Sequence, residues 1–175
     1  SPQASHLALH MNMTTKNQRL RELFAERDFR IAMSLAVNRD EMREMLLDGF
    51  GTNMQYCPPK DSPLYYEKLA NAYLDYDPDQ ANVLLDGLGY TEKDAEGYRL
   101  FKDGSGERIS ITVIGTVTET TPLMLMLIDY FKAVGLSLNY RGMDRALSIE
   151  MHNSNEVEMT AGQADRNLIP LADPQ

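Results

Sequence analysis

Between Ile109 and Tyr140 the chain reads strand, helix, strand, and that order leaves it little freedom of fold. Ile109–Ile114 (ISITVI) has the β-branched, apolar character of a buried strand. After a threonine-rich loop, Pro122 to Val134 carries Met124, Leu127, Ile128 and Phe131 at helical spacing, with Thr121-Pro122 as its start and Gly135 as its stop. Leu136 to Tyr140 (LSLNY) is the second strand. Two strands joined through a helix lie parallel, with a right-handed crossover. Asp144 then caps a shorter helix through Leu147, Ile149 and Met151, and Val157 to Ala161 is a further strand. The expected class is α/β, an open mixed sheet with helices packed on it.

The amino-terminal half supplies the helices. Leu7 to Met13 (LALHMNM) alternates apolar and polar residues, the pattern of a half-buried strand, and Asn17 after a polar turn caps a short helix through Leu20, Leu23 and Phe24. From Asp28, the residues Phe29, Ala32, Met33, Ala36 and Val37 share one helical face. Asn38 restarts the pattern: an N-cap residue with Glu41 three positions on begins a second helix, which carries Met42, Met45, Leu46 and Leu47 inward until Gly49. Phe50 to Asp61 is irregular, and Cys57-Pro58-Pro59 places it on the surface. Ser62-Pro63 starts a helix bearing Tyr65, Tyr66, Leu69, Ala70 and Tyr73. Asp77-Pro78 starts another, with Gln80 completing a capping box, Leu84, Leu85 and Leu88 inward, and Gly89 at its end. Tyr98-Arg99-Leu100-Phe101, between glycine-bearing turns, reads as one arm of a hairpin.

Charge and motif content exclude several functions. The 175 residues hold 26 acidic against 17 basic side chains, a formal charge of −9, which argues against a nucleic-acid partner. No apolar run approaches the ~20 residues of a spanning helix, and the amino terminus does not read as a signal peptide. Cys57 is the only cysteine, so neither an internal disulfide nor a cysteine-based zinc site can form, and the diproline beside it offers no base to activate a thiol. His6 and His10 would lie ~13 Å apart on a strand with no third ligand near. The sequence holds no G-x-S-x-G elbow, phosphate loop or H-E-x-x-H helix, so the expectation is a non-enzyme without a cofactor or metal.

In open α/β sheets, ligands bind beyond the carboxyl ends of the parallel strands. That rule selects the loop from Gly115 to Thr121, with Thr116 and Thr118, and the loop Gly162-Gln163-Ala164-Asp165, which joins exposed amides, a side-chain amide and a carboxylate. It also selects Thr14 to Asn17 if the first strand is parallel to the others. Each loop could equally be a plain connection.

Three passages carry a family resemblance: FRIAMSLAVNRDEM followed by LLDGFG, then YDPDQANVLLDGLGY, then the Ala133-Val134-Gly135-Leu136 corner. In this order they resemble the extracellular solute-binding proteins of family 5, the oligopeptide and dipeptide receptors of bacterial ABC importers. The resemblance runs over residues 7 to 174 and implies one lobe of the periplasmic-binding-protein type II kind. Family members are about three times longer and close two lobes on the ligand. Residues 1–175 would then be a single α/β domain, a piece of the carboxyl-terminal lobe that holds half of a cleft and lacks the first lobe. The implied function is capture of a peptide or related small solute in the periplasm or outside the cell, and delivery to ABC permease subunits in the membrane. The parent would carry a signal peptide.

In the peptide receptors, a Gly-Trp motif after this strand is followed by an Asp that pairs with the peptide ammonium. Here Gln163 replaces the tryptophan and the acid follows one residue sooner, which makes Asp165 the implied counterpart. Gln163 and the Asn153-Ser154-Asn155-Glu156 approach resemble a branch that includes receptors linked to oligosaccharide uptake. A ligand-sensing domain of a transcriptional regulator and a bare protein-interaction domain are the remaining alternatives.

Overall fold

A computed structural model of the chain describes residues 7–116 and 121–162. The elements run in the order β1 (Ala8–Met11), α1 (Gln18–Ala25), α2 (Arg27–Leu35), α3 (Arg39–Leu47), α4 (Glu67–Ala70), α5 (Pro78–Gly87), β2 (Ser110–Thr116), α6 (Thr121–Ala133), β3 (Ser137–Met143), α7 (Arg145–Asn153) and β4 (Met159–Gly162). Four helices start where a side-chain oxygen takes an amide of the first turn that has no partner inside the helix. Asn17 accepts from Leu20, Asn38 from Glu41, Asp77 from Gln80 and Asp144 from Leu147. Each of these caps is legible as an Asn or Asp before a helical pattern.

The sheet has strand order β1-β4-β2-β3. β2 lies between β3 and β4 and is parallel to both, while β1 runs antiparallel along the outer edge of β4. The chain thus leaves β2 through α6 to one side and returns from β3 through α7 to the other. With both crossovers right-handed, opposite directions of travel put α6 and α7 on opposite faces of the sheet. Ile111 and Val113 of β2, Leu138 of β3 and Met159 of β4 face the main core with Met124, Leu127 and Phe131 of α6. Phe24 of α1, Phe29 and Met33 of α2 and Leu85 of α5 extend that core. α5 packs on α2, and the Asp77 amide donates to the Leu35 carbonyl at 2.9 Å.

Three expectations need correction. α3 forms but buries none of its residues: Met45 and Leu46 are exposed, and Met42 alone of the four joins the rim of the core. Its amphipathic pattern is real, but no element among the described residues covers that face fully. α3 ends as expected at Gly49, which takes a φ of +80°, with Asp48 before it at +46°. Cys57 is buried rather than on the surface, its sulfur 3.5 Å from the Tyr66 amide that donates to it. The helix expected from Ser62 shrinks to Glu67–Ala70, because Ser62 to Tyr65 form turns and Tyr73 takes a positive φ of 51°.

Arg99 is the buried charge that joins the two halves. Its Nε donates to the Val134 carbonyl at 2.8 Å, Nη2 to Asn82 Oδ1 at 2.7 Å, and Nη1 to Asp86 Oδ1 at 2.5 Å and to the Tyr90 carbonyl. The side chain is 1% exposed, whereas Asp86 is 53% exposed. Gly135 closes over it with φ +81°, and a Cβ there would fall 2.9 Å from Arg99 Cγ and 3.1 Å from the Gly97 carbonyl. Beside it, Phe101 and Glu107 close the expected hairpin, and the Ile109 amide donates to the Arg99 carbonyl at 2.7 Å. Outside the turn, Arg19 bonds Asp103 and Glu107, and Arg108 bonds Asp94 and Glu96.

Two outcomes follow from these contacts. Replacing Arg99 by Met leaves the Val134 and Tyr90 carbonyls without that donor, and at ~1–3 kcal/mol per buried acceptor the loss is about 2–6 kcal/mol in urea unfolding. Asp86→Asn, at a half-exposed partner, costs below ~1 kcal/mol; equal losses for the two variants would refute this division. Hydrogen bonds from Ser105, with help from Arg19, hold the Asp103 carboxyl down to about 2, and Arg108 lowers Glu96. A carboxyl depressed in the folded state stabilises above its unfolded value of ~4 and loses that contribution as pH falls toward the folded value. The thermal midpoint of the wild type therefore drops between pH 4 and pH 2 more steeply than that of Asp103→Asn.

Candidate functional site

The three parallel strands end together, at Thr116, Met143 and Gly162. Because β1 is antiparallel to β4, its first residue Ala8 stands beside Gly162, while its exit toward Thr14 to Asn17 lies at the opposite end of the sheet. That removes Thr14 to Asn17 from the ligand edge. At the opposite end those residues are structural: Asn17 Nδ2 donates to Glu158 at 3.1 Å, and the other oxygen of Glu158 accepts the Thr112 amide at 2.7 Å. Of the five candidate residues, Gly162 closes β4, with open space where a side chain would stand. Thr116 closes β2 in register with Met143. Thr118, Gln163 and Asp165 lie outside the described residues.

The core face of the sheet continues to this edge. Val113 pairs with Tyr140, and Gly115 with Ala161, on that face. A Cβ on Gly115 would fall 2.9 Å from Tyr140 Cε2 and 3.1 Å from its hydroxyl, so the glycine is what lets the ring lie across β2. The hydroxyl is buried and has no hydrogen-bond partner among the described residues. Such a donor is a group that a neighbouring oxygen could satisfy.

Along β1 lies a cavity of about 490 Å³. Leu7, Ala8, Leu9 and Met11 form its sheet side, Leu123, Leu127 and Phe131 of α6 its wall, and Met33, Met42 and Leu46 of α2 and α3 the far side. The loop from Phe50 to Tyr56 completes it. The volume falls within the ~300–1,000 Å³ range of small-molecule sites.

Three guanidinium groups border this mostly apolar space, from Arg30, Arg39 and Arg43, and no Asp or Glu is among the described residues that line it. Arg30 Nη1 donates to the Phe24 and Ala25 carbonyls at 2.6 and 2.8 Å. Arg39 donates to the Ser34 carbonyl and Oγ, both at 2.8 Å, and burial pushes its guanidinium down from the ordinary arginine value. Arg43 Nη1 reaches the Gly51 carbonyl at 3.1 Å and Nη2 reaches Asp40 at 3.0 Å, while its Nε is buried without a partner among the described residues. Gln55 fastens the loop, donating to Ser34 Oγ at 2.7 Å and to the Ala72 carbonyl at 2.8 Å.

The edge loops were legible from the strand-helix-strand order, and the cavity was not. Its signal in the sequence is local: Arg39 and Arg43 stand four apart on α3, one helical turn, with Met42 and Leu46 on the same spacing. Mixed cationic and apolar residues on adjoining stripes mark a surface that is neither plain core nor plain solvent face.

Known proteins place the chain. An oligopeptide-binding protein OppA of known structure superposes with a TM-score of 0.92 at 30% identity, covering 99% of this chain and 27% of that one. A periplasmic alpha-galactoside-binding protein of Rhizobium meliloti is 27% identical over 116 residues, 61% of this chain and 17% of that protein. A probable ABC transporter-binding protein of Deinococcus radiodurans is 29% identical over 145 residues, 79% of this chain and 23% of that protein. The chain therefore spans about a quarter or less of the length of these relatives. Its α/β sheet has the architecture of type II periplasmic binding proteins. The sequence model described as bacterial extracellular solute-binding proteins, family 5 Middle, matches residues 1–170, and the chain belongs to that family of solute receptors.

Proposed function

We propose that residues 1–175 form one α/β domain, the carboxyl-terminal lobe of a two-lobed receptor that captures an oligopeptide outside the cytoplasm and delivers it to an ABC permease. The observation that supports this reading is the shared end of β2, β3 and β4 at Thr116, Met143 and Gly162, the side of an open α/β sheet on which ligands bind, with the cavity running along the neighbouring strand β1. A lobe with its site on one edge presents half of a cleft, and closure of a second lobe over it sequesters the solute. Thr116 at the end of β2 and Thr118 after it, with Gly162 at the end of β4 and Gln163 and Asp165 after it, are the ligand contacts in this reading, with Asp165 receiving the peptide ammonium. No nucleic acid, cofactor or metal takes part.

An oligosaccharide is the second reading. Gln163 in place of the motif tryptophan favours it, as does the alpha-galactoside specificity in the name of the Rhizobium meliloti relative.

Calorimetric titration of the full-length receptor with a mixed peptide library, and separately with an oligosaccharide panel, decides between them. Peptides are expected to bind, and Asp165→Ala to weaken them by more than ~10-fold, the scale of a charge-assisted hydrogen bond. Binding by sugars alone would remove the peptide reading and leave the receptor role. The 175-residue chain by itself is expected to bind at least ~100-fold more weakly than the full receptor, since half of the contacts and the exclusion of water are missing. Equal affinity would show that one lobe suffices.

A further inference from the structure

β1 offers His10 no second imidazole or carboxylate, and the fold brings it one from α7. Leu9 and Met11 face the main core with Met159 of β4, so His10 and Asn12, and Thr160 opposite His10 in the register, stand on the other face of the sheet. That is the face on which α7 lies, and its last turn carries His152. The two histidines border one hollow of about 250 Å³, together with Met11, Asn12, Val157 and Thr160. No Lys, Arg, Asp or Glu is among the described residues that border it.

Hydrogen bonds hold the two sides of this hollow in place. Asn12 Nδ2 donates to Asn155 Oδ1 and to the Val157 carbonyl, both at 2.7 Å, and Asn155 Nδ2 donates to the Thr14 carbonyl at 2.9 Å. The Asn155 amide in turn donates to the His152 carbonyl at 3.0 Å. The end of α7 is thus tied to the end of β1, a short step along the chain from each histidine. The rings are oriented too. His152 Nδ1 lies 2.6 Å from the Ser148 carbonyl, which can only accept, so in the neutral ring that nitrogen carries the hydrogen and Nε2 keeps its lone pair. Metal-ligating imidazoles are held in the same way, by a carbonyl or carboxylate on the other nitrogen. The His10 ring meets Tyr56 edge-on, with ring centroids 5.3 Å apart.

Two imidazoles without a carboxylate are a poor site for Ca²⁺ or Mg²⁺, which take oxygen ligands. Nitrogen donors suit the later first-row divalent ions, and copper is the strongest binder of that series. No third His, Cys, Asp or Glu completes a metal-binding group among the described residues, so water fills the remaining positions. The hollow has room for that, since a water takes roughly 30 Å³. An open nitrogen-and-water set matches the tetragonal preference of copper(II) better than the closed tetrahedral shell of a structural zinc site.

We propose that His10 and His152 form a binding site for a late first-row divalent ion, Cu²⁺ first among them, on the sheet face opposite the main core. The bound ion joins β1 to α7. The site is separate from the ligand edge and does not rest on the identity of the solute.

The test uses the full-length receptor without an affinity tag, titrated calorimetrically with CuCl₂ and, as the hard-ion control, CaCl₂. His10→Gln and His152→Gln are each expected to weaken Cu²⁺ at the site by at least ~10-fold, the lower end of what even an indirect metal contact is worth. Cu²⁺ is expected to raise the thermal midpoint of the wild type by more than that of either variant. Electron paramagnetic resonance of the loaded wild type is expected to show coupling to two ring nitrogens, and one in each variant. Circular dichroism confirms that both variants fold. Cu²⁺ bound alike by the wild type and both variants overturns the proposal. Loss in only one variant also overturns it, since that marks a single surface imidazole. Ca²⁺ held as tightly as Cu²⁺, or no Cu²⁺ binding at all, overturns it as well.

Discussion

The guanidinium of Arg99 fixes the end of the molecule from which everything else is measured. A fully buried cation survives only where its donors are met, and here the acceptors come from three separate stretches: Asn82 and Asp86 of α5, Tyr90 after it, and Val134 at the end of α6. The corner between α6 and β3 is therefore anchored to the helical layer by one side chain. The Arg99 main chain adds to this, its amide donating to the Gly135 carbonyl at 2.7 Å. Once that corner is placed, Ser137 falls beside Ser110, and seven paired positions carry the register up to Thr116 and Met143. Where the carboxyl ends of β2 and β3 fall is thus set at the opposite end of the strands.

The two ends of the sheet divide the work accordingly. At the amino ends of β2 and β4, polar groups are closed among themselves: Asn12 bonds Asn155 and the Val157 carbonyl, both at 2.7 Å, and Glu158 satisfies a strand amide and a helix cap. The Tyr140 hydroxyl and Arg43 Nε are the two buried side-chain polar atoms without partners among the described residues. The Tyr140 ring lies across Gly115, one residue before the carboxyl end of β2, whereas Arg43 stands on α3 at the cavity wall. Buried polar groups are as a rule paired, so each of the two is a place where a further acceptor could be met.

How much of this could be read in advance depended on the range of the forces involved. Helix caps are hydrogen bonds within four residues, and Asn17, Asn38, Asp77 and Asp144 were each legible. The parallel β2–β3 pair was legible because a strand-helix-strand order admits few topologies. Periodicity, by contrast, reports that a face exists and says nothing of what covers it. α3 has the pattern of a core helix and buries no residue, and Cys57, in a stretch that reads as exposed loop, is buried against Tyr66. Arg99 was invisible for the same reason. Its partners lie 9 to 35 residues away, and nothing in the word Tyr98-Arg99-Leu100 distinguishes a buried arginine from a solvated one. The ligand edge was placed by topology alone, and Thr118, Gln163 and Asp165 carry their assignments from sequence alone.

The half-open cavity bears on how the proposed two-lobed receptor would use its binding energy. Two opposite charges 4 Å apart attract by only about 1 kcal/mol in water and by about 4 kcal/mol at an effective dielectric of 20, so a second lobe that excluded water would strengthen every charged contact a solute makes without moving either group. The same cover would bury Leu46 and Phe50, whose exposed apolar surface adds ~25 cal/mol for each Å² removed from water. α3 brings no surplus of positive charge to that event: Asp40, Glu41 and Glu44 outnumber Arg39 and Arg43, and Arg43 is already bonded to Asp40 at 3.0 Å. In the proposed receptor the drive to close over a solute would therefore come from water leaving the apolar wall, with the arginines held by their own partners in the open lobe.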